Sequence, residues 1–278
     1  MIKDIKILAC DIDGTLCMKG GDLMPLTRDA IIRLHDEGVL FGPASGRPMS
    51  KNILDRAADW KLGFPFDFAI GMNGGELYRK DTGKVDKFHL LSKENVKKIL
   101  TFLAPFDVNA IVYVNGYEEI RAFKLDELMK NSMIRNHSHV TTGDIDYLAE
   151  FDTSKVEVSF MEKERDAILQ AIEENADPAW HMVQTYRADG YCTFEFQDPR
   201  VDKGNALLSF AESIGVSREN ILTFGDQDND LGLIKDAGWG VCLANGCDIC
   251  KEAADAVTEH DVYDDGVGHY IHDHIFKN

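Results

Sequence analysis

Apolar residues fall along this chain in two periods. Short continuous runs at 5–10, 39–44, 66–72, 220–224 and 240–244 have the length and composition of buried strands. Between the first two, residues 27–38 read as a helix with Ile31, Ile32 and Leu34 facing inward. Thr27 is placed to cap it. Pro48 suits the first turn of the next helix, and 203–214 read as another. Strands alternating with helices predict a parallel sheet with right-handed crossovers.

The grammar changes after Asn73. Residues 76–89 look like a hairpin turning at Asp81-Thr82-Gly83, followed by a helix at 92–103 and strands at 110–114 and 119–123. A strand at 156–161, a helix at 163–175 and strands at 182–187 and 191–196 complete a separate α+β module. The parallel grammar resumes at Lys203, so the module is an insertion. The expected organisation is an α/β core of residues 1–82 and 197–278 that carries an inserted α+β domain of residues 83–196.

Charge narrows the partners. The 278 residues hold 30 Lys and Arg against 48 Asp and Glu, a net charge of −18 spread along the chain, which opposes binding to nucleic acid or to anionic lipid. No apolar run is long enough to span a bilayer and no secretory leader is visible, so no membrane partner and a cytoplasmic location are expected. Six scattered cysteines in a chain this long fit reduced thiols. An anionic substrate would need a local cation or metal to offset the overall field.

In a parallel α/β sheet, ligands bind beyond the carboxyl ends of the strands. Four loops share that address: Asp11, Asp13, Gly14 and Thr15; then Ser45, Gly46 and Arg47; then Lys203 and Gly204; and finally Asp226, Asn229 and Asp230. Two carboxylates about 4 Å apart repel by about 4 kcal/mol at an effective dielectric near 20, so a cluster of four calls for a cation. All-oxygen ligands without His or Cys favour a hard ion, and Mg²⁺ is the expected choice. Singly, each aspartate is equally a turn or cap residue.

Together, Asp11-Ile12-Asp13-Gly14-Thr15, Ser45-Gly46-Arg47, Lys203 and Gly225-Asp226-Gln227-Asp228-Asn229-Asp230 resemble motifs I to IV of the haloacid dehalogenase superfamily, in order and in the strands they follow. An insertion between motifs II and III, with Asn73-Gly74, Leu243-Ala244-Asn245-Gly246 and Asp265-Gly266-Val267, is similar to the Cof-type phosphatases with a C2B cap. Gln227 stands where many relatives have Gly. The resemblance implies a Rossmann-like core with an α+β cap that closes over substrate, and a Mg²⁺-dependent phosphatase acting on a small phosphorylated metabolite of the sugar phosphate class. It implies Asp11 as nucleophile and Asp13 as the acid and base that serves the leaving alcohol and then the water. It further implies Ser45, Arg47 and Lys203 as groups stabilising the transferring phosphoryl, and Thr15, Gly46, Asn73 and Asn229 as supports around the substrate. The metal would be held by Asp11, the Asp13 carbonyl and Asp226, with Asp230 behind them holding metal waters or Lys203. A phosphomannomutase-like mutase and a non-catalytic phosphometabolite sensor remain as alternatives.

Other signals have plainer explanations. Cys247 and Cys250 form a C-x-x-C without the second pair that zinc wants. His269, His272 and His274 read as the solvated face of a C-terminal helix whose apolar stripe is Val267, Tyr270, Ile271 and Ile275.

Overall fold

The computed structural model describes residues 4–277, apart from the side chains of residues 128, 132 and 135; the expected core segments at 1–3 and 278 therefore lie outside the described residues. The chain forms two compact units, one of residues 1–86 with 202–278 and one of residues 87–201. These borders fall slightly C-terminal to those expected. At the first, the hairpin's second arm stays with the core sheet; at the second, the last inserted strand runs on to Gln197.

Strands of the first unit are β1 (Ile7–Asp11), β2 (Leu40–Ala44), β3 (Phe68–Gly71), β4 (Glu76–Arg79) and β5 (Lys84–Lys87). The inserted unit contributes β6 (Val108–Asn115), β7 (Glu119–Ala122), β8 (His139–Thr142), β9 (Val156–Met161), β10 (His181–Ala188) and β11 (Tyr191–Gln197). After the insertion come β12 (Ile221–Gly225), β13 (Trp239–Cys242) and β14 (Ala256–Val257).

The core sheet runs β14-β13-β12-β1-β2-β3-β4-β5, parallel from β14 to β3 and antiparallel from β3 to β4. β1 lies at its centre and is buried along its whole length, as a strand covered on both faces must be. Register places Asp11 beside Ala44 and Cys10 beside Phe224, so the chain leaves β1, β2 and β12 at one level. That alignment, set by strands far apart in sequence, brings the first, second and last of the four loops together.

Two local expectations are corrected. The first helix spans Pro25–Asp36, so Thr27 lies inside it; its N-terminal amides at Leu26 and Thr27 are instead bound by the Asp265 carboxylate, at 2.8 and 2.9 Å. A carboxylate from a distant loop thus does the work expected of a local hydroxyl. Pro48 precedes the next helix, Lys51–Leu54, with Ser50 at its N-cap position. No helix among the described residues is long and apolar enough to cross a membrane.

The inserted unit is a six-stranded sheet, β10-β11-β9-β6-β7-β8, antiparallel except between β7 and β8. Val156, Val158 and Phe160 alternate inward from β9 and pack with Val96, Ile99 and Ile168 of the helices Lys93–Leu103 and Arg165–Glu174. On the opposite face of the sheet, a buried Lys155–Glu195 ion pair at 2.7 Å and the Tyr113 hydroxyl donating to Glu157 at 2.8 Å satisfy the polar groups.

Candidate active site

Each candidate side chain stands just beyond a strand end or at a helix start. Asp11 is the last residue of β1, Ser45 follows β2, and Asp226 follows β12. Lys203 opens the helix Lys203–Ser213, whose N-terminus is capped by Asp202 accepting from the Asn205 amide at 2.9 Å. Asp230 closes a single 3-10 turn, Asp228–Asp230.

One oxygen each of Asp11, Asp226 and Asp230 lies within 4.8 Å of the others, and all three residues are buried. Lys203, 0% exposed, bridges two of them, with Nζ 2.7 Å from Asp11 Oδ1 and 2.6 Å from Asp230 Oδ1. Asp230 turns its other oxygen to the backbone amides of Asp226 and Gln227, at 2.9 and 3.0 Å, so one oxygen holds Lys203 and the other shapes the loop. Asp226 accepts from the Thr15 hydroxyl at 2.7 Å and from Gln227 Nε2 at 3.1 Å.

Electrostatics show what this arrangement lacks. Burial pushes the Asp11 carboxyl up to about 8; Lys203 pulls it down, and Asp230 and Asp226 add repulsion. Burial also raises Asp226. Burial opposes the Lys203 charge, but Asp11 and Asp230 outweigh it and hold the ammonium above the ordinary lysine value. One lysine against three carboxylates therefore leaves Asp11 short of positive charge. The oxygen-only donor set fits a hard divalent cation.

Asp13 points elsewhere. Its carboxylate receives Arg47 in a two-pronged pair, Nη2 to Oδ1 at 2.6 Å and Nε to Oδ2 at 2.9 Å. A third group joins the remaining loops. Asn229 Nδ2 donates to Asn73 Oδ1 at 3.0 Å, the Asn73 amide donates to the Ser45 carbonyl at 3.1 Å, and a Cβ on Gly46 would come within 2.8 Å of Asn73 Oδ1. Gly14 is held at φ +99°, and a Cβ there would meet Asp226 Oδ2 at 2.5 Å, so the first loop closes on the last only with glycine.

Several contributors escape a motif reading. Glu76 is 2% exposed and accepts the Met49 amide at 2.6 Å, fixing the backbone just after Arg47. Asn245 donates to the Gly14 carbonyl at 2.8 Å and accepts the Val262 amide at 2.9 Å, tying the first loop to the C-terminal segment. Gln227, the departure from the usual glycine, is used as a donor to Asp226. Nothing in the sequence marks Glu76; Asn245 lies within the Leu243-Ala244-Asn245-Gly246 stretch, but that pattern does not say which loops it ties together.

A parallel α/β core with carboxylates and a lysine gathered at one sheet end, interrupted by an α+β insertion, defines a class of hydrolases. The family model for haloacid dehalogenase-like hydrolases matches residues 8–271. The chain belongs to this family, as an enzyme of its phosphatase branch. It is 24% identical over 279 residues to 5-amino-6-(5-phospho-D-ribitylamino)uracil phosphatase YitU of Bacillus subtilis (strain 168), an alignment covering 97% of each chain. Its fold is similar to that of TM0651 from Thermotoga maritima, with a TM-score of 0.82 at 23% identity over 96% of this chain and 97% of the other. It is likewise similar to the HAD subclass IIB sugar phosphatase BT4131, with a TM-score of 0.78 at 23% identity over 96% and 98%.

Proposed function

We propose that this protein is a Mg²⁺-dependent phosphatase that hydrolyses a small phosphorylated metabolite, of the sugar phosphate class, through an aspartyl-phosphate on Asp11. The observation that carries the proposal is the buried convergence of Asp11, Asp226 and Asp230 around Lys203. The names of two relatives, one a phosphoribityl phosphatase and one a sugar phosphatase, support the substrate class.

Asp11 attacks phosphorus in line; its oxygen–phosphorus bond forms as the bond to the substrate oxygen breaks. Attack by a carboxylate on a phosphate dianion sets anion against anion, so positive charge must carry much of the acceleration. Lys203 supplies one charge. Asp11, Asp226 and the Asp13 carbonyl, with Asp230 behind them, would hold Mg²⁺, which when bound supplies the remaining positive charge at the phosphoryl oxygens. Ser45 and Arg47 complete the phosphoryl contacts, and Asn73 and Asn229 hold their two loops in register.

Asp13 gives a proton to the leaving oxygen and then takes one from the water that hydrolyses the intermediate. While paired with Arg47 it only accepts hydrogen bonds. The incoming phosphate dianion competes for the same guanidinium, and its arrival releases the Asp13 carboxyl toward the leaving oxygen. Arg47 thereby couples substrate binding to readiness of the acid.

The test is phosphate release from a panel of phosphorylated metabolites, with and without Mg²⁺. Asp11→Asn is expected to lower release by at least about 10⁴-fold, and EDTA to abolish it reversibly. Undiminished release in either arm refutes the mechanism. Isomerisation without release would make the protein a mutase, and binding without either would make it a sensor.

A further inference from the structure

The loop that carries Ser45 and Arg47 is gripped by β3, β4 and the turn between them. The Ser45 amide donates to the Ile70 carbonyl at 2.8 Å, and the Asn73 amide donates to the Ser45 carbonyl at 3.1 Å. The Met72 amide donates to the Arg47 carbonyl at 2.8 Å, and Glu76 Oε2 accepts the Met49 amide at 2.6 Å. The first three bonds are backbone to backbone, which any sequence can make; only the last is written in a side chain. The turn that delivers it is sharply bent, with Met72, Asn73 and Gly74 all at positive φ, +49°, +56° and +108°. Antiparallel register sets Glu76 opposite Gly71. A Cβ on Gly71 would lie 3.0 Å from both the Arg47 carbonyl oxygen and the Met49 amide nitrogen, and 3.3 Å from Glu76 Oε2, so the loop and the strand end meet without room for a side chain.

We propose that Glu76 is a positioning residue for phosphoryl binding: by holding the Met49 amide it sets where the Arg47 guanidinium stands, and so how tightly the protein binds a phosphate group. The inference rests on the proposed function for the role it gives Arg47.

Glu76 is 2% exposed, and a carboxylate is costly to bury unless donors meet it, so packing alone does not account for it. The Met49 amide needs the acceptor in turn. It lies between Pro48, which has no N–H, and Ser50 at the N-cap position of the helix Lys51–Leu54, so neither sheet nor helix offers it a partner. Arg47 is thereby bracketed. Its carbonyl is fixed by Met72 and the amide two residues on is fixed by Glu76, with only the rigid ring of Pro48 between them. With both held, the side chain leaves the backbone in one place, and its guanidinium meets Asp13 through two parallel bonds at 2.6 and 2.9 Å. Without Glu76 the Met49 amide would be buried and unmade, and the loop would shift to find it an acceptor. A guanidinium displaced by about 1 Å no longer matches two oxygens at once, and misplacement on that scale costs up to about 100-fold.

The experiment measures orthophosphate binding to the full chain in Mg²⁺ by calorimetry, and phosphate release beside it. Glu76→Ala should weaken orthophosphate binding at least about tenfold. Glu76→Gln keeps an acceptor oxygen at the same reach and should stay within about threefold of wild type. In an Arg47→Ala background, Glu76→Ala should have no further effect, because the group it positions is gone. Gly71→Ala crowds the same contact while keeping the carboxylate; it should act in the same direction, and it takes the place of Glu76→Ala in the cycle if circular dichroism shows that variant unfolded. A loss below about tenfold in Glu76→Ala, a loss in Glu76→Gln as large as in Glu76→Ala, or full additivity with Arg47→Ala overturns the inference. Absence of orthophosphate binding in wild type, or its persistence in Arg47→Ala, overturns it too. A wild type that binds orthophosphate in this Glu76-dependent way but releases none from any substrate refutes the phosphatase reading and leaves the inference standing.

Discussion

Replacing Lys203 by methionine tests the site at its most charged point. The side chain is 0% exposed and its ammonium touches Asp11 at 2.7 Å and Asp230 at 2.6 Å, so nothing from solvent takes its place. Methionine keeps the length of the chain but leaves Asp11, Asp226 and Asp230 facing one another. Removing one partner of a buried ion pair costs about 3–5 kcal/mol, because a charge remains buried without compensation. At about 2–4 °C per kcal/mol for a domain of this size, the melting temperature in EDTA should fall by about 6–20 °C. A divalent cation should restore part of the loss, since it supplies charge to the same oxygens. The assay is thermal unfolding by circular dichroism, with and without Mg²⁺. Asp11→Asn in the Lys203→Met background provides the control: removing one carboxylate should recover stability, so the two changes should not add. A fall of less than about 3 °C, or strict additivity, would refute the view that Lys203 is the charge on which this cluster folds.

Further expectations follow from the same geometry. Gly14→Ala should reduce kcat/KM at least about 100-fold, because its Cβ would displace Asp226 Oδ2 from 2.5 Å, and misplacement of about 1 Å has that effect; steady-state phosphate release checks it, and near-normal activity counts against the role of Asp226. Asp265→Ala removes the acceptor for the Leu26 and Thr27 amides and the Thr27 hydroxyl, and should destabilise the core by about 1–3 kcal/mol in urea titration with the inserted unit unaffected. In chelator, stability should fall as pH rises. Folded Asp11 holds its proton to about 8 whereas the unfolded carboxyl releases it near 3.8, so the folded state binds more protons through that window. Urea unfolding at pH 5 and pH 8 in EDTA reads this slope, which is at most about 1.4 kcal/mol per pH unit for one group. A flat profile refutes it.

How much was legible depends on how local the cause was. The strand 156–161 and the capped helix Lys93–Leu103 follow from alternation and from Ser92, which accepts the Asn95 amide. Thr27 misleads because threonine is a favoured N-cap residue, yet the helix starts two residues earlier and Asp265, 238 positions away in sequence, accepts the amide of Thr27 itself. Likewise Asp13, read as one more acid in a cluster, has its carboxylate taken by Arg47 from the neighbouring strand's loop.

The amino-acid pattern alone determined the order of strands and helices, the interruption of the parallel core by an α+β insertion, and the four loops that end at a common sheet edge, because each depends on residues within a turn or two of one another. Tertiary structure alone decided the register that sets Asp11 beside Ala44 and Cys10 beside Phe224, and with it which carboxylate meets which cation. Burial then gave those meetings their strength: in water these charges would be weakly coupled, but sealed at the end of the sheet they shift one another's ionisation and form an oxygen donor set compatible with a divalent cation.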